Sequence, residues 1–271
     1  MQTTIIKPRS GFTSFNFKEL VEYRELFFTF LERDFKVKYK QTALGALWAI
    51  LQPLTTMVLF SFFFGKIAKI PSDGIPYPVF SYTGLLLWTY FSSSINIASV
   101  SITNNANLIS KVYFPRLIIT LSSTLSGFID YAFALIVLVG LMIGYGFYPS
   151  WKLILLPIIL FITWLFSTGV GLWLAATNVL YRDVKIIITF ILQLWIYATP
   201  VIYPLSVAGK FRWVVILNPM TGLIEAHRSI FLNTPPIPWG SLTYSLIAAI
   251  VTFITGMMYF KTIERRFADE I

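Results

Sequence analysis

Glu225, His227 and Arg228 stand within four residues of one another, shortly after the helix-breaking pair Asn218-Pro219. An acid beside an imidazole is the pairing used in general acid–base chemistry. On a helix, however, residues two apart point about 200° away from each other, so these two side chains diverge. The sequence therefore favours a polar network at a pore mouth, an outer gate made of Asn218, Pro219, Glu225, His227 and Arg228, over a catalytic pair. Asp130 is the second candidate, the one ionisable residue deep inside an apolar stretch. A bare carboxylate there costs about 2.5–3.5 kcal/mol even on the lenient insertion scale. No Lys, Arg or His lies in the middle of another apolar stretch to pair with it, so it is expected to be protonated, or hydrogen-bonded to the hydroxyls of Ser122, Ser123 or Ser126 or to another helix. A structural or subunit contact and a proton relay are both open readings of Asp130.

Other chemistry is excluded by what the chain lacks. There is no cysteine, and His227 is the only histidine, so disulfides, thiolate chemistry and a multi-histidine zinc site are ruled out. A phosphate-cradling loop needs G-x-x-x-x-G-K-[ST], whose backbone amides and lysine hold the phosphates. Gly65-Lys66 fails this pattern, being followed by Ile67 and preceded five residues earlier by Phe60. No metal or nucleotide cofactor is expected in this chain, and any ATPase driving it is another polypeptide. Aromatic residues make up 17% of the chain, which an interfacial belt explains for Trp151, Trp239 and Tyr244. The run Trp88-Thr89-Tyr90-Phe91, with Trp195 and Tyr197, sits among Ser, Thr and Asn. Flat rings beside hydroxyls and amides suit a neutral, polyhydroxylated ligand as well as a belt.

These residues are carried by a chain that cannot be soluble. Of its 271 residues 56% are hydrophobic and 12% charged, about half the charge of a soluble domain. Charge-free stretches run over 41–65, 74–110, 131–151, 153–181, 186–209 and 229–260. About 20 apolar residues of helix cross a bilayer core, so the chain is an all-α polytopic membrane protein, and a soluble enzyme, a nucleic-acid binder and a disordered protein are excluded. Six spans are expected, near 43–64, 79–102, 117–142, 153–180, 186–205 and 242–260. The net charge of +9 belongs to the loops. Lys66, Lys69, Lys152, Lys210, Arg212 and Arg228 fall on one side, and the other fifteen Lys/Arg fall on the side of both termini. The positive-inside rule then places both termini in the cytoplasm. The first 40 residues contain no uninterrupted apolar run, so no cleavable signal peptide is expected.

Two further elements are distinctive. Over residues 17–36 a helical arc gathers Phe17, Leu20, Val21, Phe27, Phe28, Leu31 and Phe35, with Leu26 and Phe30 outside it and charged residues opposite. This reads as an amphipathic helix lying in the membrane interface, either an anchor or a lever touching a cytoplasmic partner. Residues 206–238 are apolar but broken by Asn218-Pro219, Pro235, Pro236 and Pro238, which suits re-entrant or surface-lying short helices on the outer side. The organisation is thus a cytoplasmic segment 1–42, helices over 43–205 with a loop at 104–116, outer helices over 206–238, and a last span with a tail over 239–271.

A series of strings, in order along nearly the whole chain, resembles the membrane subunits of type-2 ABC exporters for cell-surface polysaccharides, the O-antigen, teichoic-acid and capsule permeases. They are Arg33-Asp34, Tyr39-Lys40-Gln41-Thr42, Leu44-Gly45 with Trp48 and Gln52-Pro53, Asp73 to Pro78, Gly84 to Trp88, Asn107 to Arg116, Tyr181-Arg182-Asp183-Val184, Thr199 to Pro204, Asn218-Pro219-Met220, and Glu264 to Asp269. The resemblance implies a homodimer in the bacterial inner membrane with two copies of a cytoplasmic ATPase, which binds ATP and Mg. It implies a lipid-linked polysaccharide as cargo, with membrane lipids around the chain and no nucleic acid. It makes the amphipathic helix a gate helix (Phe27, Leu31, Arg33, Asp34). It makes the 104–116 loop a coupling helix (Asn107, Lys111, Tyr113, Phe114, Arg116), and it lines the channel with Trp48, Trp88, Tyr90, Phe91, Trp195 and Tyr197. The competing expectations are a teichoic acid or capsule exporter and, after it, an ion-coupled secondary transporter using Asp130.

Overall fold

The computed structural model describes residues 21–40, 45, 47–148, 150–234 and 236–267. The start of the amphipathic stripe (Phe17, Leu20), the Gln41-Thr42 string, Leu44, Pro235, Ala268 and Asp269 lie outside the described residues. Every regular element among the described residues is helical. We number the longer ones α1 (Arg24–Lys40), α2 (Leu47–Phe60, continued by a π-helical turn Ser61–Ile67), α3 (Tyr77–Ser99), α4 (Leu117–Gly144), α5 (Leu156–Leu180, entered through a 3-10 turn Trp151–Leu155), α6 (Val184–Trp195), α7 (Pro219–Leu232) and α8 (Trp239–Glu264).

Four helices are long and apolar enough to cross a membrane: Leu47–Ile67, Leu117–Gly144, Trp151–Leu180 and Trp239–Glu264. The six-span expectation is met only this far. α3 occupies the second expected span, but it is the packed centre of the bundle and buries Ser81, Thr83, Ser94 and Ser99 along with its apolar residues. The fifth expected span shortens to the 12 residues of α6. Beyond Trp195 the chain turns through Pro200 and Pro204, which have no amide hydrogen to continue a helical ladder.

Local chemistry sets the ends. Asn218 caps α7 by accepting a hydrogen bond from the Met220 amide at 3.1 Å, with Pro219 in the first turn, where its missing donor costs nothing. Ser150 accepts from the Lys152 amide at 3.2 Å before α5. Asn233 ends α7 with φ of 60°, a left-handed conformation that asparagine tolerates. α5 and α8 meet backbone to backbone at a pair of glycines: a Cβ on Gly169 would stand 2.6 Å from the Phe253 nitrogen, and one on Gly256 would stand 2.4 Å from the Gly169 oxygen. In lipid, where apolar burial between helices gains little, such small-residue contact is what holds helices together.

Two apolar cores result. The larger surrounds α3. The smaller gathers Phe30 of α1, Ile102, Phe114, Leu172, Phe260 and Phe267 at the end of the bundle that carries the 104–116 loop.

Candidate functional site

α1 turns one edge of its apolar arc, Phe27 and Leu31, toward the bundle and leaves the other described residues of the arc outward. Val21, Phe28 and Phe35 are exposed, while Phe30, outside that arc, is buried against Phe114 with ring centroids 5.7 Å apart. The helix is rotated because its docking face is chosen by shape and by polar anchors. Arg33 donates to Asn105 Oδ1 at 2.8 Å and to Asp34, and its guanidinium lies 4.8 Å from the Phe30 ring centroid. Leu31 and Phe27 are half-buried beside it. Nor does α1 lie across the bundle end. From Phe114, just before α4, it climbs until the Tyr39 ring meets Phe133, sixteen residues into α4 at a centroid distance of 6.1 Å.

That climb delivers a partner to Asp130. Lys38 forms an ion pair with its carboxylate, and the Tyr39 hydroxyl donates to the other oxygen. The expected serine partners are elsewhere engaged: Ser122, Ser123 and Ser126 donate to the carbonyls of Ile119, Thr120 and Ser123 of their own helix. The sequence reading missed Lys38 because it was counted with the charges outside the bilayer. The Lys38–Asp130 pair forms one wall of a cavity of about 450 Å³ between α1, α2, α3 and α4. Trp48 and Gln52 of α2, Thr89, Tyr90, Ser92, Ser93 and Asn96 of α3, and Tyr131 of α4 line the rest. Rings, hydroxyls, amides and one charge-balanced pair thus share a recess, the combination that takes up sugars by stacking and hydrogen bonding.

The expected channel-lining residues separate. Trp48 and Tyr197 are each 56% exposed, whereas Tyr90 borders the recess but is 2% exposed and stacks on Phe128. Trp88 and Phe91 are at most 5% exposed and pack against Trp195, Phe91 also stacking on Phe166 at 5.4 Å. Rings so enclosed have no face left for a glycan; they fasten α3 to α5 and α6. The coupling loop divides likewise. Asn107, Lys111 and Tyr113 point outward, Tyr113 at 83% exposure. Phe114 is buried in the smaller core, and Arg116 donates to the Glu264 carbonyl and lies over the Phe267 ring, so both serve the chain's own packing.

The residues over 206–238 also correct an expectation. α7 is not surface-lying: every side chain from Met220 to Leu232 is buried. The exposed part is the stretch before it, the 3-10 turn Leu205–Phe211 and the short helix Arg212–Ile216, with Phe211 at 73% and Trp213 at 66%. Glu225 and His227 do diverge. Glu225 pairs with Arg228 at 2.9 Å, and His227 shares a 2.7 Å hydrogen bond with the Tyr131 hydroxyl. Arg228 donates to the carbonyls of Pro200 and Val201 and lies 3.8 Å from the Phe80 ring centroid. Gly84 leaves the space: a Cβ there would stand 2.7 Å from an Arg228 nitrogen. Asn218 adds a bond from its amide to the Thr199 hydroxyl at 2.7 Å. This network clamps the 198–202 turn to α3 and α7.

The family model described as "ABC-2 type transporter" covers residues 25–232. The O-antigen export system permease protein RfbA of Myxococcus xanthus is 30% identical over 259 residues, which is 94% of this chain and 98% of that protein. The chain belongs to the ABC-2 transporter membrane family. A second O-antigen export system permease protein RfbA, from Klebsiella pneumoniae, is 30% identical over 90% of this chain and 94% of its own length. The polysialic acid transport protein KpsM of Escherichia coli is 26% identical over 86% and 91%. The chain is accordingly a multi-pass bacterial inner-membrane permease subunit. Within this ABC-2 chain, the family match spans α1 to α7, the elements that carry the Arg33 anchor, the recess and the buried clamp.

Proposed function

We propose that this ABC-2 permease subunit forms half of a channel that exports a lipid-linked, O-antigen-like polysaccharide across the inner membrane, driven by a separate cytoplasmic ATPase. The observation that carries the reading is the chain of contacts from the outward-facing 104–116 loop, through Asn105 and Arg33, along α1 to Lys38 and the Asp130 recess. A push on the loop reaches a sugar-compatible cavity through one helix. Nucleotide in the ATPase shifts the channel between states to the extent that it binds those states with different affinity. The permease itself does no covalent chemistry; ATP and Mg belong to the partner.

A homodimer with two ATPase subunits completes the assembly. It is supported by the apolar side chains that α2 and α6 leave outward, Val58, Phe62 and Phe63 on one and Ile186, Phe190 and Leu194 on the other, faces that a second copy covers around a shared channel. The excess of Lys and Arg on their side supports a cytoplasmic position for both termini and the 104–116 loop. Ion-coupled transport loses its footing: it rested on a lone Asp130, and this acid has Lys38 and Tyr39 as partners.

The test is purification of the tagged chain from its native membrane in mild detergent, with mass spectrometry of what accompanies it. An ATPase recovered in equal amount, together with loss of surface polysaccharide when the gene is deleted, is the expected result. A chain that purifies alone, and whose transport ignores ATP, overturns the reading.

A further inference from the structure

Among the described residues that line the recess beside α1, the charged side chains are Lys38 and Asp130, and their charges cancel. Neither is used up by the other. Lys38 donates to Asp130 Oδ2 and Tyr39 to Oδ1, whereas a carboxylate offers about four lone-pair sites and an ammonium three hydrogens. Both side chains of the pair also keep exposed surface. A charged acceptor and a charged donor thus stand side by side on the wall of an open cavity. The exposed ring of Trp48 lines the same cavity.

That arrangement discriminates by charge. Of two adjacent sugar hydroxyls, one can donate to the carboxylate while its neighbour accepts from the ammonium, and both bonds are charge-assisted. A sugar carboxylate or phosphate meets Lys38 and Asp130 together, so repulsion by one offsets attraction by the other. It also sheds hydration on entry, and no net counter-charge in the recess repays that loss. A cationic sugar fails for the same reason with the signs reversed.

We propose that the Lys38–Asp130 pair is the selector of this recess, admitting uncharged glycans with free vicinal hydroxyls and holding back those whose repeating units are acidic. Asp130 accepts from one hydroxyl, Lys38 donates to the next, and the Trp48 ring takes the CH face of the sugar. The selector acts on the cargo that the export reading assigns to this recess, and for that cargo it rests on that reading.

The experiment uses the purified full chain in phosphatidylcholine nanodiscs, with binding of soluble tetrasaccharides measured by saturation-transfer NMR. The probes are maltotetraose, its per-O-methyl ether and tetragalacturonate. Wild type should bind maltotetraose about tenfold more tightly than tetragalacturonate, and more tightly than the ether, which has no hydroxyl hydrogen to donate. Asp130→Asn leaves the Lys38 charge uncancelled, so the preference should reverse: maltotetraose weakens about tenfold while tetragalacturonate strengthens. A merely structural role for the pair would weaken both probes alike. The exchange Lys38→Asp with Asp130→Lys cancels the charges again and should restore the neutral preference, which keeps the test open if Asp130→Asn does not fold. Equal wild-type binding of the neutral and acidic probes, an unaltered preference in Asp130→Asn, or no tetrasaccharide binding overturns the proposal. Composition of the native glycan separates it from the export reading. A surface polysaccharide that is lost on gene deletion and is acidic in every unit overturns the selector and leaves export standing. A chain that shows the charge preference yet moves no polysaccharide with its ATPase present breaks the export reading alone.

Discussion

Arg228–Glu225 and Lys38–Asp130, two of the ion pairs among the described residues, differ in what surrounds them. Arg228–Glu225 is sealed: its side chains are 1% and 7% exposed, the carbonyls of Pro200 and Val201 each accept from one of the two terminal guanidinium nitrogens, and an aromatic ring covers the face. Lys38–Asp130 is open, at 40% and 18% exposure, and faces a cavity with room for a ligand. A pair enclosed on all sides can act only as a fastener. A pair that keeps one side free can exchange partners, and in a transport protein that freedom is the useful property.

The comparison predicts opposite phenotypes. Arg228→Ala leaves Glu225 buried without its counter-charge, which costs about 3–5 kcal/mol. The expected result is loss of folded protein from the membrane, measured by detergent-extracted yield and thermal unfolding; a normally folded variant would show that the clamp is dispensable. Asp130→Asn and Lys38→Met break the open pair, where partial solvation limits the loss of stability to about 1 kcal/mol or less. Folded protein should remain near wild type while export of surface polysaccharide falls, and exchange of the two residues (Lys38→Asp with Asp130→Lys) should restore part of it. Equal loss of folding in both pairs would erase the distinction. The smallest effect on stability, within about 0.5 kcal/mol, is expected for Tyr113→Ala, since its side chain touches little of its own chain. Its expected consequence is weaker recovery of the ATPase in a pull-down.

Two glycines sharpen the contrast between packing and function. Gly84 admits Arg228 and Gly169 admits the α8 backbone, so each is needed for contact, neither for turning. They were silent in the sequence, where a glycine in an apolar helix carries no mark of what approaches it. The aromatic run was more misleading than silent. Trp88, Tyr90 and Phe91 are neighbours in sequence, but on a helix they point in different directions, and only Tyr90 meets the recess.

The sequence by itself determined the solvent and the element type. Continuous charge-free stretches of about 20 residues or more, framed by proline, asparagine and basic residues, have the length of membrane-crossing helices, which satisfy their own backbone in lipid. It also fixed the family, because the motifs run in order along the chain. Tertiary structure alone decided which residues meet. Lys38 lies 92 residues from Asp130, and the periodicity of α1 centred its apolar arc off the face that docks. Periodicity records how apolar a face is, whereas docking depends on shape and on polar partners supplied by distant helices, and those are set only when the helices pack.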